Sequence, residues 1–186
     1  MAEAAYREDG RREELIEGVK MMSPAPNLNH NVVVKNLVLI FGNFLHGKRC
    51  QVFGDHVDVF LDDENTFQPD ITITCDPDKI QWDGIHGAPD FVCEVLSFAT
   101  RRNDLGKKKA VYERAGVKEY WIIDPVAKSV DVYLNHEGHF ELDNSYIVKV
   151  KNRDDKDAPE QLHLKLSLYD DLVINLHDIF ANMLER

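Results

Sequence analysis

Glu94 stands inside an otherwise apolar run, Phe91-Val92-Cys93-Glu94-Val95-Leu96, and Pro69-Asp70 opens a second such run upstream. An ionised carboxylate buried without a partner costs several kcal/mol, so a chain seldom keeps one in a strand without a use for it. Two carboxylates on neighbouring strands also repel each other. At a separation of ~4 Å and an effective dielectric of ~20 that repulsion is about 4 kcal/mol. A proton or a divalent cation relieves it, and hard oxygen ligands suit Mg²⁺. The chemistry implied is that of a dication held between Asp70 and Glu94.

A basic segment follows directly. Arg101, Arg102, Lys107, Lys108 and Lys109 fall within nine positions. On a helix there, Asp104, Lys108 and Tyr112 recur every four residues and share one face. Lys108 can reach back toward the dication position, with Asp104 or Tyr112 orienting it, and stabilise charge developing at a phosphorus centre. The alternative is an ordinary salt-bridged, solvated helix face.

The elements that would position these groups are legible in the hydrophobic pattern. Residues 15–22 read as a hairpin turning at Glu17-Gly18. Ser23 to Asn27 is a loop. His30 to His46 carries Val33, Leu37, Ile40, Phe41, Phe44 and Leu45 at helical spacing, with Gly47 as a stop. Short strands are expected at 50–53, 56–61 and 68–74. In the last of these, Ile71 and Ile73 point inward and Asp70 faces the other way. Residues 76–89 read as a long loop. After the Glu94 strand come a turn at 97–103, a helix from 104 to 115 with Asp104 as its N-cap and Gly116 as its stop, and strands at 118–124, 129–134 and 138–150. The polar segment 151–160 reads as a loop, 162–168 as a final strand and 176–184 as a terminal helix. Helices interleave with strands, so the fold class is α/β around one mixed sheet.

Composition bounds the rest. The chain has 186 residues with 44% hydrophobic, enough for one domain with a core. Residues 1–186 are therefore read as a single domain. No apolar run is long enough to span a bilayer, and the N-terminus lacks an apolar signal core, so a cytoplasmic location without membrane association is expected. Cys50, Cys75 and Cys93 lack metal-ligand spacing and read as inert or structural. His30, at the start of the first helix, is within reach of the site, with a helix-terminal or packing role as its first reading. A net charge of −11 argues against non-specific nucleic-acid binding by the whole surface but leaves room for a local basic patch. A symmetric homodimer is the default assembly for such a domain.

Several stretches taken together carry a resemblance. They are Phe67-Gln68-Pro69-Asp70-Ile71, then Gly87 to Ser97, then Asp104-Leu105-Gly106-Lys107-Lys108 with Tyr112, then Ala115 to Pro125. With Glu14 to Gly18, Ser23-Pro24 and His30 upstream, this pattern resembles the Uma-two family, described as restriction endonucleases and placed in the broad PD-(D/E)XK nuclease superfamily. The resemblance implies a restriction-endonuclease-like core, a central mixed β-sheet flanked by helices, with additional β-hairpins. It also implies Mg²⁺- or Mn²⁺-dependent hydrolysis of phosphodiester bonds, with DNA as the partner. Asp70 and Glu94 match the family's two acidic positions, Lys108 its helical lysine, and Glu14 an acid that completes the site. The carbonyl of Val95 would join the metal ligands, and Arg101 and Arg102 would contact flanking phosphates. Leu96 stands where the superfamily places lysine two residues after the acid, so the positive charge would come from Lys108. Phe98 follows Ser97 where the family pattern has proline. A catalytically inactive nuclease fold, acting as an oligomeric binding or regulatory module, is the competing reading. RNA or a branched junction is the competing substrate, since no base-reading motif is present.

Overall fold

Alternation along Phe91–Val95 divides the interior into two cores. In the computed structural model, which describes residues 12–54, 56–148 and 162–185, the chain runs β1 (Arg12–Ile16), β2 (Val19–Ser23), α1 (Leu28–Leu45), β3 (Gln51–Gly54), β4 (Val59–Asp62), β5 (Asn65–Phe67) and β6 (Ile71–Thr74). It continues through a 3₁₀ turn (Pro77–Lys79), β7 (Ile80–Gln81), β8 (Gly84–His86), β9 (Phe91–Val95), α2 (Arg101–Leu105) and α3 (Lys107–Ala115). The remainder is β10 (Glu119–Asp124), β11 (Ser129–His136), β12 (His139–Ile147), β13 (His163–Leu166), β14 (Tyr169–Asn175) and α4 (Leu176–Ile179).

The central sheet has the order β12-β11-β10-β9-β6-β3. It is mixed, because β9 and β10 run parallel while the other neighbours are antiparallel. One face carries Phe91, Cys93 and Val95 with Ile71, Ile73, Trp121 and Ile123, and packs against Val33, Leu37 and Phe41 of α1. Phe41, Phe91 and Trp121 form a ring cluster with centroids 5.2–6.0 Å apart. The other face carries Val92, Tyr120 and Ile122, and packs against Val111 and Tyr112 of α3 and against Ile16 and Phe67. Glu94 shares parity with Val92, so it faces this second core.

Helix α1 begins where Asn27 accepts a hydrogen bond from the His30 N–H at 3.0 Å, a side-chain N-cap. Helix α3 ends at Gly116, whose φ of 89° closes the last turn in the left-handed region. The first hairpin turns at Glu17-Gly18 as expected, both with positive φ.

Several expectations need correction. The sheet is not single: a second six-stranded sheet, β2-β1-β5-β4-β8-β7, and a β13–β14 ribbon accompany it. Residues 76–89 are not one loop. They hold the 3₁₀ turn and the β7–β8 hairpin, whose strands of two and three residues are too short to display alternation. The helix expected from 104 is broken at Gly106, whose φ of −118° and ψ of −99° lie outside the helical basin. Asp104 is therefore a buried residue of α2 and not an N-cap. Cys50 and Cys75, read as inert or structural, take the structural role and form a disulfide. Antiparallel pairing of Gln51 with Thr74 brings these two sequence-distant residues opposite each other, while Cys93 is free and buried as expected. The terminal helix is also shorter than expected, and a further strand, β14, precedes it. The 151–160 segment lies outside the described residues. Among the described residues, no helix is long and apolar enough to cross a membrane.

Phe41 is fully buried at the junction of α1 and the central sheet. Phe41→Ala is expected to lower the unfolding free energy by about 3–5 kcal/mol, read as a reduced urea midpoint at unchanged slope.

Candidate active site

Antiparallel pairing of β6 and β9 matches Ile71 with Cys93. One step outward along that register, Asp70 lies opposite Glu94, both on the second-core face. Each is 3% exposed. The Asp70 carboxylate accepts the Val95 N–H at 2.8 Å on Oδ2, and His30 Nε2 lies 3.2 Å from the same oxygen. Helix α1 thus supports Asp70 from one side while the β9 backbone holds it from the other.

Glu94 Oε1 sits 2.6 Å from Lys108 Nζ and accepts the Tyr112 hydroxyl at 2.9 Å. Lys108 and Tyr112 come from successive turns of α3, so helical spacing delivers both to one carboxylate oxygen. The Lys108 ammonium also donates to Glu14 Oε1 at 2.9 Å, and Asp104 Oδ1 is 3.8 Å away. Glu14 in turn accepts the Gln68 N–H at 2.8 Å. The Tyr120 hydroxyl donates to the Asp104 carbonyl at 3.0 Å and fixes the end of α2.

Glu14, Asp70, Glu94 and Lys108 consequently border one pocket, together with His30, Ser97, Thr100 and Asp104. The sequence-based candidates meet, and Val95 adjoins them through its N–H. Arg101 and Arg102 do not line this pocket. They lie on the exposed side of α2, with Arg101 2.6 Å from Asp124. The basic run does not form one free patch either. Lys107 pairs with Glu17 at 2.9 Å, and the Lys109 ammonium stands 3.4 Å over the Tyr133 ring.

Two further members, His30 and Asp104, each carried a second, non-site reading in the sequence. His30 read as a packing residue, yet it reaches Asp70. The signal available was its place in the first turn after a strong capping residue, which fixes its direction but not its target. Asp104 read both as a cap and as a residue that orients Lys108; it is not a cap, and it lies buried in α2 with its carboxylate 3.8 Å from the Lys108 ammonium.

The donor set bears on metal binding. Among the described residues, no three His, Cys, Asp or Glu side chains form a ready ligand cluster. Asp70 and Glu94 offer only oxygen atoms as ligands, and the Val95 N–H is already given to Asp70. Oxygen ligands suit Mg²⁺ or Mn²⁺ better than Zn²⁺, because Mg²⁺ keeps several waters and is commonly held by one or two carboxylates plus substrate phosphate.

The family model Uma2, described as "Putative restriction endonuclease", matches residues 2–173. A crystal structure described as a "putative nuclease belonging to DUF820" from Anabaena variabilis superimposes with a TM-score of 0.70 at 22% identity, covering 92% of this chain and 91% of that one. At that identity the likeness is one of fold. "Uncharacterized protein slr1290" from Synechocystis is 28% identical over 107 residues, 56% of this chain and 56% of that protein. The match to this curated relative therefore spans little more than half its length.

Charge within the pocket is unbalanced, with four carboxyl groups around one ammonium. Burial, reinforced by Asp104, Asp70 and Glu14, raises Glu94 well above the ordinary carboxylate range against the pull of Lys108. Burial alone would depress the Lys108 ammonium, but Glu14, Glu94 and Asp104 outweigh it and hold the group above its usual value. Burial also pushes Asp104 up to about 6. A carboxyl raised on folding contributes stability that is present below its unfolded pKa of ~3.9 and is lost as pH rises through about 6. Asp104→Asn is expected to be more stable than the parent at pH 8, by on the order of 2 kcal/mol, with the gap closing toward pH 4. Urea titrations at several pH values check this; parallel profiles would count against it.

Proposed function

Because the chain belongs to the Uma2 family, we propose that it is a nuclease that hydrolyses phosphodiester bonds of DNA with Mg²⁺ or Mn²⁺ at the Asp70–Glu94 pocket. One observation supports this reading above the others. Two acids from adjacent strands stand opposite each other on one face, and a buried lysine from the next helix reaches one of them at 2.6 Å.

Asp70, Glu94 and the Val95 carbonyl are the residues that would hold the ion. When bound, it supplies positive charge against the scissile phosphate and eases deprotonation of water. The remaining work falls to the protein's own groups. The Lys108 ammonium, poised between Glu14 and Glu94, offsets the charge that develops at phosphorus. Glu14 orients Lys108, Tyr112 orients Glu94, and His30 orients Asp70. Arg101 and Arg102, outside the pocket on α2, contact flanking phosphates. A homodimer and a cytoplasmic setting belong to the same proposal.

Lys108 on Glu94 also favours one alternative, an inactive module in which the ammonium replaces the dication as permanent counter-charge. Two experiments separate these readings. Nicking of supercoiled plasmid is expected with Mg²⁺ or Mn²⁺ and not with EDTA, and Asp70→Asn and Glu94→Gln are expected to lower the rate at least ~100-fold. Calorimetric Mn²⁺ titration should show uptake by the parent protein that both variants lose. Unchanged nicking by these variants would refute the site assignment. Absence of both uptake and nicking would favour the inactive module.

Lys108→Met would leave Glu14 and Glu94 buried without their cation. A destabilisation of about 3–5 kcal/mol is expected in denaturant titration.

A further inference from the structure

Ser97 and Thr100 both line the pocket, and between them Phe98 is wholly exposed, at 105% relative accessibility. The segment that carries it is tied down on both sides. Leu96 N–H donates to the Ile123 carbonyl at 2.7 Å, anchoring the end of β9. The Ser97 and Thr100 hydroxyls lie 2.9 Å apart, and Thr100 N–H donates to Ser97 Oγ at 3.1 Å. Arg101 N–H closes the turn on the Ser97 carbonyl at 3.1 Å. The turn therefore leaves the Phe98 ring fully exposed between two pocket-lining residues, four positions from Glu94. Folding gives this ring no apolar contact to keep it there.

A phenyl ring has no hydrogen-bonding group with which to read a sequence, but it offers a flat π-face that any nucleobase can cover. Arg101 and Arg102 follow within four positions on an exposed helix, a backbone-binding flank to an aromatic platform. We propose that Phe98 is a base-stacking residue that packs on the nucleobase beside the phosphodiester entering the pocket. The inference rests on the nuclease reading and extends it to a substrate class. A fully paired duplex interior has no free base face, so the preferred substrate is single-stranded or locally opened DNA.

The test uses the full chain carrying Asp70→Asn, so that the probe is not cut, and a fluorescein-labelled single-stranded 20-mer followed by anisotropy. Alanine removal of a base–aromatic stack weakens binding by roughly 5- to 150-fold. Adding Phe98→Ala is expected to weaken binding of the 20-mer at least ~10-fold, and to weaken blunt duplex binding less. Phe98→Trp should retain affinity within about threefold, whereas Phe98→Leu, apolar but without a π-face, should behave as alanine does. Trp82 is equally exposed, at 100%, but lies on the β7–β8 hairpin outside the pocket lining, so Trp82→Ala should bind as the parent does. Unchanged circular-dichroism melts will show that the Phe98 variants remain folded. If the parent binds DNA and Phe98→Ala or Phe98→Leu binds equally well, the stacking role is overturned while the nuclease reading stands. If the Asp70→Asn protein binds no DNA and the unmodified protein cleaves none, the nuclease reading fails and stacking fails with it.

Discussion

A single buried ammonium joins three parts of the molecule. Lys108 of α3 reaches Glu94 of β9 in the central sheet and Glu14 of β1 in the second sheet, 94 residues away in the chain. The side chains of all three groups are less than a tenth exposed. Each charge would be expensive to bury alone, and together they are tolerable only in a geometry that lets each satisfy the others. The second sheet must therefore dock where β1 meets α3. Phe67 and Ile16 supply the apolar contacts for that docking, and the Lys108 ammonium stands 5.5 Å from the Phe67 ring. The same charges that weaken the domain as a packing problem fix the relative placement of its two sheets.

The opposite face of the central sheet does a different job. There the interactions are almost entirely apolar, from the Phe41–Phe91–Trp121 rings outward to α4 and the β13–β14 ribbon. Dense packing of that kind leaves a strand little freedom to shift. Glu94 inherits its position from Cys93 and Val95, which are locked into this layer. Asp70 inherits its own from Ile71 and from the Val95 N–H. Strand period converts rigidity on one face into precise placement on the other.

The same periodicity explains what was readable from sequence. Strands β6 and β9 alternate clearly, so the face of Asp70 followed from Ile71 and Ile73. Once those strands pair with Ile71 opposite Cys93, the acids must meet. The spacing of Lys108 and Tyr112 placed both on one helix face, though it did not say which carboxylate they would share. What escaped had no local signal. The β7–β8 hairpin is too short to alternate. The α2–α3 break depends on one glycine whose backbone leaves the helical basin. His30 reaches Asp70 only because α1 packs across β6 and β9, a tertiary fact. The Cys50–Cys75 bond likewise depends on pairing of β3 with β6 across 25 residues.

The acidity of this chain sets a condition on how it can meet a polyanion. A net charge of −11 repels DNA at long range, but in physiological salt that field decays over ~8 Å. Attraction must therefore be local, from groups close enough to touch. Lys108 is committed to carboxylates and Lys107 to Glu17, so the basic run offers less free charge than its composition promises. Arg101 shares its charge with Asp124. Uncharged contact then has more to contribute than in a basic nuclease. Stacking is insensitive to the sign of the protein's field and acts only at contact distance. In the proposed stacking role, the exposed Phe98 ring on a hydrogen-bonded turn beside an acidic pocket would hold a strand that electrostatics alone would push away.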